Sequence, residues 1–266
     1  MEPRAGTPPF RPRPSKTDTA DYEPNYHTTG AFISEAHSRA SELVADVDGW
    51  LREEDALKLY ELAFWAAGPI LEVGTYRGKS GVLMATAARD AGSSAVVLSL
   101  DTDSEAQAKA AAAARSHGVQ DRLWPVLCSA AAFFAVNPGF APSLVFLDGD
   151  HSYEGVRRDL DTLSSHLPTG GLLCLHDYFD PRNESSGCAE IDVRRAASTS
   201  ALIRDCDFCG VFGASAVFQR STGGPPHPGP GAFDLRRYDT IRMQYRQRVR
   251  TPVGRLARRL MAVSRR

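Results

Sequence analysis

ILEVGTYRGKS, residues 70–80, is the stretch whose reading decides the fold. An apolar strand carries Glu72 near its end, turns through Gly74 and Gly78, and gives way to a helix opening at Ser80. Such a turn suits cofactor binding, because glycines let the backbone approach a ligand and the first helical turn offers free N–H donors. Spacing then discriminates between cofactors. A phosphate-binding loop of the form G-x-x-x-x-G-K-S would need its first glycine at Val73. A dinucleotide fingerprint, G-x-G-x-x-G, would need its second glycine at Tyr76. Both readings fail, which disfavours a nucleotide hydrolase and an NAD-dependent oxidoreductase. What remains is E-x-G-x-x-x-G-x-S.

Outward from this turn, the pattern continues as alternating helices and strands. A helix is expected over about 78–91, followed by AVVLSLD (95–101), which ends on Asp101. A carboxylate there is where a doubly wound sheet contacts ribose hydroxyls. The alanine-rich stretch 104–116 reads as a surface-packed helix. LWPVLCS (123–129) and SLVFLD (143–148) are near-continuously apolar, as buried parallel strands are. LDGDHSYEGVRRDL (147–160) and GGLLCLHDY (170–178) hold the fourth and fifth strand ends, and RDCDFCG (204–210) with SAVFQR (215–220) reads as a final antiparallel pair. Ahead of the sheet, 31–48 and 51–66 show helical periodicity, with Leu51, Leu57, Leu59, Leu62, Phe64 and Trp65 supplying apolar surface to pack on it.

The turn and the paired strand-end motifs together resemble class I S-adenosylmethionine (SAM)-dependent methyltransferases. The resemblance is to the catechol O-methyltransferase-like branch and to bacterial methyltransferases of secondary-metabolite sugars, and it covers roughly residues 68–220. It implies a Rossmann-like α/β fold: a doubly wound, mostly parallel seven-stranded sheet with a final antiparallel strand, plus N-terminal helices. It implies SAM contacts from Glu72, Gly74, Tyr76, Gly78, Ser80, Asp101, Ser129 and Asp148. Asp148 and Asp177 match metal-ligand positions of the metal-dependent members. His176 stands where related sugar enzymes are acidic, and Tyr178 where the catechol branch carries an amide. As a third ligand, His176 would favour Mn²⁺, Fe²⁺ or Zn²⁺ over Mg²⁺; its competing role is a hydrogen-bonded active-site histidine with no metal.

His151 falls where the catechol branch places its catalytic lysine, and an imidazole accepts a hydroxyl proton near neutrality. Asp150 is the rival base, with helix capping as its plainer role. The expected activity is SAM-dependent O-methylation of a small hydroxylated acceptor, a sugar or other natural product, assisted by Mg²⁺ or Mn²⁺. Two alternatives stay open: metal-independent methylation of nitrogen or another atom, and a non-catalytic SAM-binding scaffold.

Composition sets the frame around this domain. The chain has 266 residues, 42% of them hydrophobic, enough for one sizeable domain with extensions. The expected divisions are a Pro-rich arm (1–30), a helical cover (31–68), the SAM-binding domain (69–220), and a linker with a basic tail (221–266). Pro3, Pro8, Pro9, Pro12, Pro14 and Pro24 without an apolar core exclude a signal peptide. Within that arm, Tyr22, Tyr26 and His27 are candidates for a lid. Five cysteines without a repeated framework suit a reducing, cytoplasmic setting, and Cys206 with Cys209 reads as a pair of structural thiols.

Net charge −1 hides an asymmetry: residues 232–266 hold eleven arginines against Asp234 and Asp239, giving +9, and the remainder is −10. Val253, Leu256, Leu260 and Val263 share one helical face opposite Arg255, Arg258 and Arg259. Such a tail suits an anionic membrane, a protein partner or the chain's own acidic body. No nucleic-acid partner is expected, and a homo-oligomer is compatible with the sequence.

Overall fold

Near-continuous apolar runs can be satisfied only where both faces of a strand are covered. In the computed structural model, which describes residues 40, 42–184 and 190–221, they form strands β1 (Ile70–Val73), β2 (Val97–Asp101), β3 (Leu123–Leu127), β4 (Leu144–Leu147) and β5 (Leu172–Leu175). All residues of β1 and β4 are buried. With β6 (Cys206–Phe212) and β7 (Ser215–Arg220) they make one seven-stranded sheet, ordered β3-β2-β1-β4-β5-β7-β6. Only β7 runs against its neighbours, pairing antiparallel with both β5 and β6. This is the fold class the sequence predicts.

Helices connect the parallel strands. Ala40 and residues 42–46 are helical (α1), followed by α2 (Glu53–Phe64), α3 (Lys79–Asp90), α4 (Ser104–Ser116), α5 (Ala130–Val136), α6 (Tyr153–Leu163), α7 (Val193–Thr199) and α8 (Ala201–Arg204). The chain winds outward from β1 to β3, then restarts at β4 on the other side of β1. Right-handed crossovers therefore put α3 and α4 on one face and α6 on the other. α2 packs beside α3, and α7 and α8 beside α6. The alanines of α4 have a packing purpose: Gly78 caps α3 at φ +83°, and a Cβ there would lie 2.8 Å from Ala110 Cα. α5, α7 and α8 are elements that sequence periodicity did not reveal.

The topological switch point lies between β1 and β4, where ligands of open α/β sheets bind. Three backbone bonds continue the sheet one residue past its strands: Gly74 N–H to Leu100 O (2.9 Å), Asp148 N–H to Val73 O (2.8 Å) and His176 N–H to Leu147 O (3.1 Å). Asp101, Gly74, Asp148 and His176 consequently stand in one row along the carboxyl edge. The residue level with Asp148 is thus His176, whereas Asp177 lies one step further, in a left-handed conformation at φ +53°.

Among the described residues, no helix is long and apolar enough to cross a membrane. The Pro-rich arm with Tyr22, Tyr26 and His27, the start of the 31–48 helix, and all but the first residue of the 221–266 linker and tail lie outside the described residues.

Candidate active site

The glycine turn is braced from behind by a buried carboxylate. Glu72, fully buried, accepts from the hydroxyls of Ser80 and Ser99. Ser99 Oγ in turn lies 2.7 Å from Thr75 Oγ1. From α4, the Gln107 amide donates to Thr75 Oγ1 (3.2 Å), Ser99 O (3.1 Å) and Val126 O (2.9 Å). Burial pushes the Glu72 carboxyl up to about 8, and the two hydroxyl bonds only partly oppose this. Glu72 and Ser80, read from the sequence as cofactor contacts, are bonded to each other inside the turn, so they shape it.

The open side of the turn carries Gly74, Tyr76 and Asp101. Gly74 sits at φ +97°, and a Cβ there would be 2.1 Å from the Asp148 carbonyl oxygen, so no other residue fits. Asp101 Oδ2 accepts from the Thr75 and Tyr76 amides at 2.9 and 3.1 Å, and its Oδ1 from the Asp103 amide at 3.0 Å. Tyr76 is half-exposed at φ +45°, with the Arg77 guanidinium over its ring. Ser129 begins α5, its hydroxyl accepting from the Ala132 amide at 3.2 Å. The tight closure of Gly74 on the end of β4 and the carboxylate at Asp101 suit a nucleoside-bearing cofactor laid across the switch point.

Beside this turn, two imidazoles and two carboxylates converge. Asp148 Oδ1 lies 2.8 Å from His176 Nδ1 and 3.1 Å from His151 Nε2. Asp177 stands 3.6 Å from each ring, through Oδ1 to His176 and Oδ2 to His151. Burial alone would raise the Asp148 carboxyl, yet the flanking imidazoles outweigh it and hold the group at about 2. Burial likewise opposes charge on His176, and Asp148, Asp55 and Asp177 overcome it, raising the imidazole to about 10. His151 shows the same balance, raised above its ordinary 6.5 by Asp148 and Asp177 against the pull of burial.

A divalent cation fits this chemistry. His176 is buried, and neither ring nitrogen has an aligned hydrogen-bond partner despite the short approach to Asp148. Asp148, His151 and His176 each offer a donor atom within 4.8 Å of the others. The sequence assigned ligation to Asp148, His176 and Asp177 and kept His151 apart as a base; the geometry brings all of them to one point. Asp150 turns elsewhere. Its Oδ1 accepts from the Ser152 amide at 3.0 Å, Arg158 lies 3.5 Å from its Oδ2, and a Cβ on Gly155 would meet its carboxyl carbon at 2.2 Å. That is the position of a group lying on the first turn of α6.

Tyr178, at the position of an amide in the catechol branch, is buried against Phe179 and Phe218. An amide nearby does serve the site: Asn183 donates to the carbonyls of Asp177 (2.7 Å) and Asp180 (2.9 Å), holding the turn that carries Asp177. Sequence reasoning passed over Asn183. It also passed over Asp55 of α2, whose signal was a charge among the apolar positions of a cover helix.

Residues 71–178 match the family Methyltransf_24, described as a methyltransferase domain. Over this segment the chain is similar to methyltransferase domains. Solved structures share its fold. Cofactor-bound Rv0187 from MTB is 17% identical, with a TM-score of 0.53 over 72% of this chain and 90% of that one. The Bacillus cereus O-methyltransferase in complex with SAH is 14% identical, with a TM-score of 0.52 over 73% and 92%. SAH-bound PaMTH1 of Podospora anserina is 16% identical, with a TM-score of 0.54 over 75% and 92%.

Proposed function

We propose that this methyltransferase acts on a hydroxyl of a small acceptor, a sugar or other natural product, with a divalent cation held beside the methyl donor. Asp148 carries the reading. Its backbone closes on Gly74 and its carboxylate meets both imidazoles, so the cofactor turn and the proton-handling cluster share one residue. SAM supplies an electrophilic methyl on a sulfonium, and a cation at Asp148, His176 and Asp177 would supply Lewis acidity toward the acceptor hydroxyl.

The chain's own residues do the rest. Gly74 and Asp101 set where the cofactor lies, which fixes the acceptor oxygen in line with the methyl. Because Asp148 is ionised, His151 Nε2 donates to it, and Nδ1 keeps the lone pair that takes the hydroxyl proton. The new oxygen–carbon bond then forms as the carbon–sulfur bond breaks. Since the base must be neutral, kcat/KM should rise with pH through the His151 pKa, which Asp148 and Asp177 raise in the cation-free site and a bound cation would pull back down.

Calorimetry with SAH and transfer assays on a panel of sugar and phenolic hydroxyls test this reading. Chelation should abolish transfer, Mn²⁺ or Mg²⁺ should restore it, and SAH affinity should be largely unaffected. Full turnover in excess EDTA would replace it with the metal-independent alternative. Absence of SAM and SAH affinity would overturn it altogether.

A further inference from the structure

α2 buries a carboxylate where its neighbours bury apolar side chains. Asp55 is 2% exposed, and its Oδ1 accepts from the Ala214 amide (3.0 Å), the Ser215 amide (2.9 Å) and the Ser215 hydroxyl (2.6 Å). These bonds anchor the helix to the turn between β6 and β7. They use one oxygen only. Oδ2 is equally buried and has no hydrogen-bond partner, and Gly213 leaves it room, since a Cβ there would lie 2.5 Å from it. A buried acceptor without a donor is destabilising, which anchoring does not explain.

The complementary group lies in register. Leu175 pairs with Ala216 across β5 and β7, which sets His176 level with Ser215, the residue that Asp55 grips. His176 turns Nδ1 toward Asp148, so Nε2 occupies the far edge of the ring, buried and without a hydrogen-bond partner. An orphaned acceptor and an orphaned donor thus flank the same strand pair, and the two residues attract each other electrostatically. We propose that Asp55 is a positioning residue: its second oxygen is the acceptor toward which the Nε2–H edge of His176 is held, leaving Nδ1 for Asp148 and the cleft. The consequence for cation binding rests on the function proposed above, whereas the orientation of the ring does not. Outer carboxylates on ligating histidines typically contribute about 10–100-fold in metal affinity.

The test uses full-length, EDTA-dialysed protein labelled with ¹⁵N-histidine, with His176→Gln identifying the resonances. Long-range ¹H–¹⁵N spectra of the wild type should show a proton on His176 Nε2. Asp55→Asn should shift that resonance and weaken Mn²⁺ binding by about 10–100-fold. Ser215→Ala, which removes one anchoring bond and leaves Oδ2 intact, should lower Tm without moving the resonance. A wild-type Nε2 that is unprotonated, or whose proton lacks the downfield shift of a hydrogen bond to a carboxylate, overturns the proposal, even if Asp55→Asn fails to fold. So does an equal shift in both variants. Should the wild type bind no Mn²⁺, the metal part of the function fails while the Nε2 signal still decides the role of Asp55.

Discussion

On the β1–β2 side of the cleft, Glu72, Ser80, Ser99, Thr75 and Asp101 bond to one another or to the turn's own amides. On the β4–β5 side, His176 buries two nitrogens with no aligned partner, and the neighbouring carboxylates crowd around it. A closed polar network fixes a shape, while an open one retains capacity for a cation or a substrate proton. On the function proposed above, the first half of the cleft receives the cofactor and the second half reacts.

The comparison breaks most completely at Gly74, where the two halves touch. Gly74→Val puts a branched side chain at positive φ against the Asp148 carbonyl, so SAH binding should fall below detection in calorimetry and transfer should be lost. Retained SAH affinity would show that the turn does not hold the cofactor.

A change confined to the reactive half should separate binding from chemistry. His151→Ala should lower kcat by about 10²–10⁴-fold with SAH affinity little changed, and the acidic limb of the kcat/KM profile should disappear. Asp150→Asn should cost much less, because that carboxylate lies on α6. The reverse ranking would make Asp150 the base.

The smallest effect sharpens the account of the closed half. The Glu72 pKa is raised in the fold from its ordinary 4.5 to about 8, so the neutral acid is the favoured folded form. Its contribution to stability is full below pH 4.5 and is lost as pH rises toward 8. Urea-unfolding free energies between pH 5 and 8 should therefore decline more steeply in wild type than in E72Q, by about 1 kcal/mol or more over the range. Parallel curves would show that Glu72 is ionised in the folded protein.

Much of this was legible in the chain. The strand ends were readable because buried parallel strands are near-continuously apolar and several stop at a polar residue, as at Asp101, Asp148 and His176. Short helices such as α5 escaped, since AAAFFAV is too brief to display a period. The site divided differently. Asp148, His151 and His176 stood out as polar residues at strand ends, but a one-dimensional motif says nothing of which way a side chain turns. Glu72, read as a cofactor contact, is bonded to Ser80 and Ser99, and Asp150, read as the rival base, accepts from the Ser152 amide at the start of α6. Asp55 showed only as a charge among apolar positions, and its role was not readable because its partners come from the far end of the domain.

That distance has a consequence for how the protein is made. The Asp55 bonds to Ala214 and Ser215 span 159 and 160 residues, and contacts so remote close late in folding. Chains grow from the N-terminus at about 5–20 residues per second, so α2 emerges well before the strand that satisfies its carboxylate. A ribosome-bound chain ending before β7 already contains the whole glycine turn, yet its Asp55 must remain hydrated and its His176 lacks the neighbouring strand. Cofactor affinity should therefore be acquired on the nascent chain earlier than the reactive cluster, with synthesis of the last strand acting as the step that arms the enzyme.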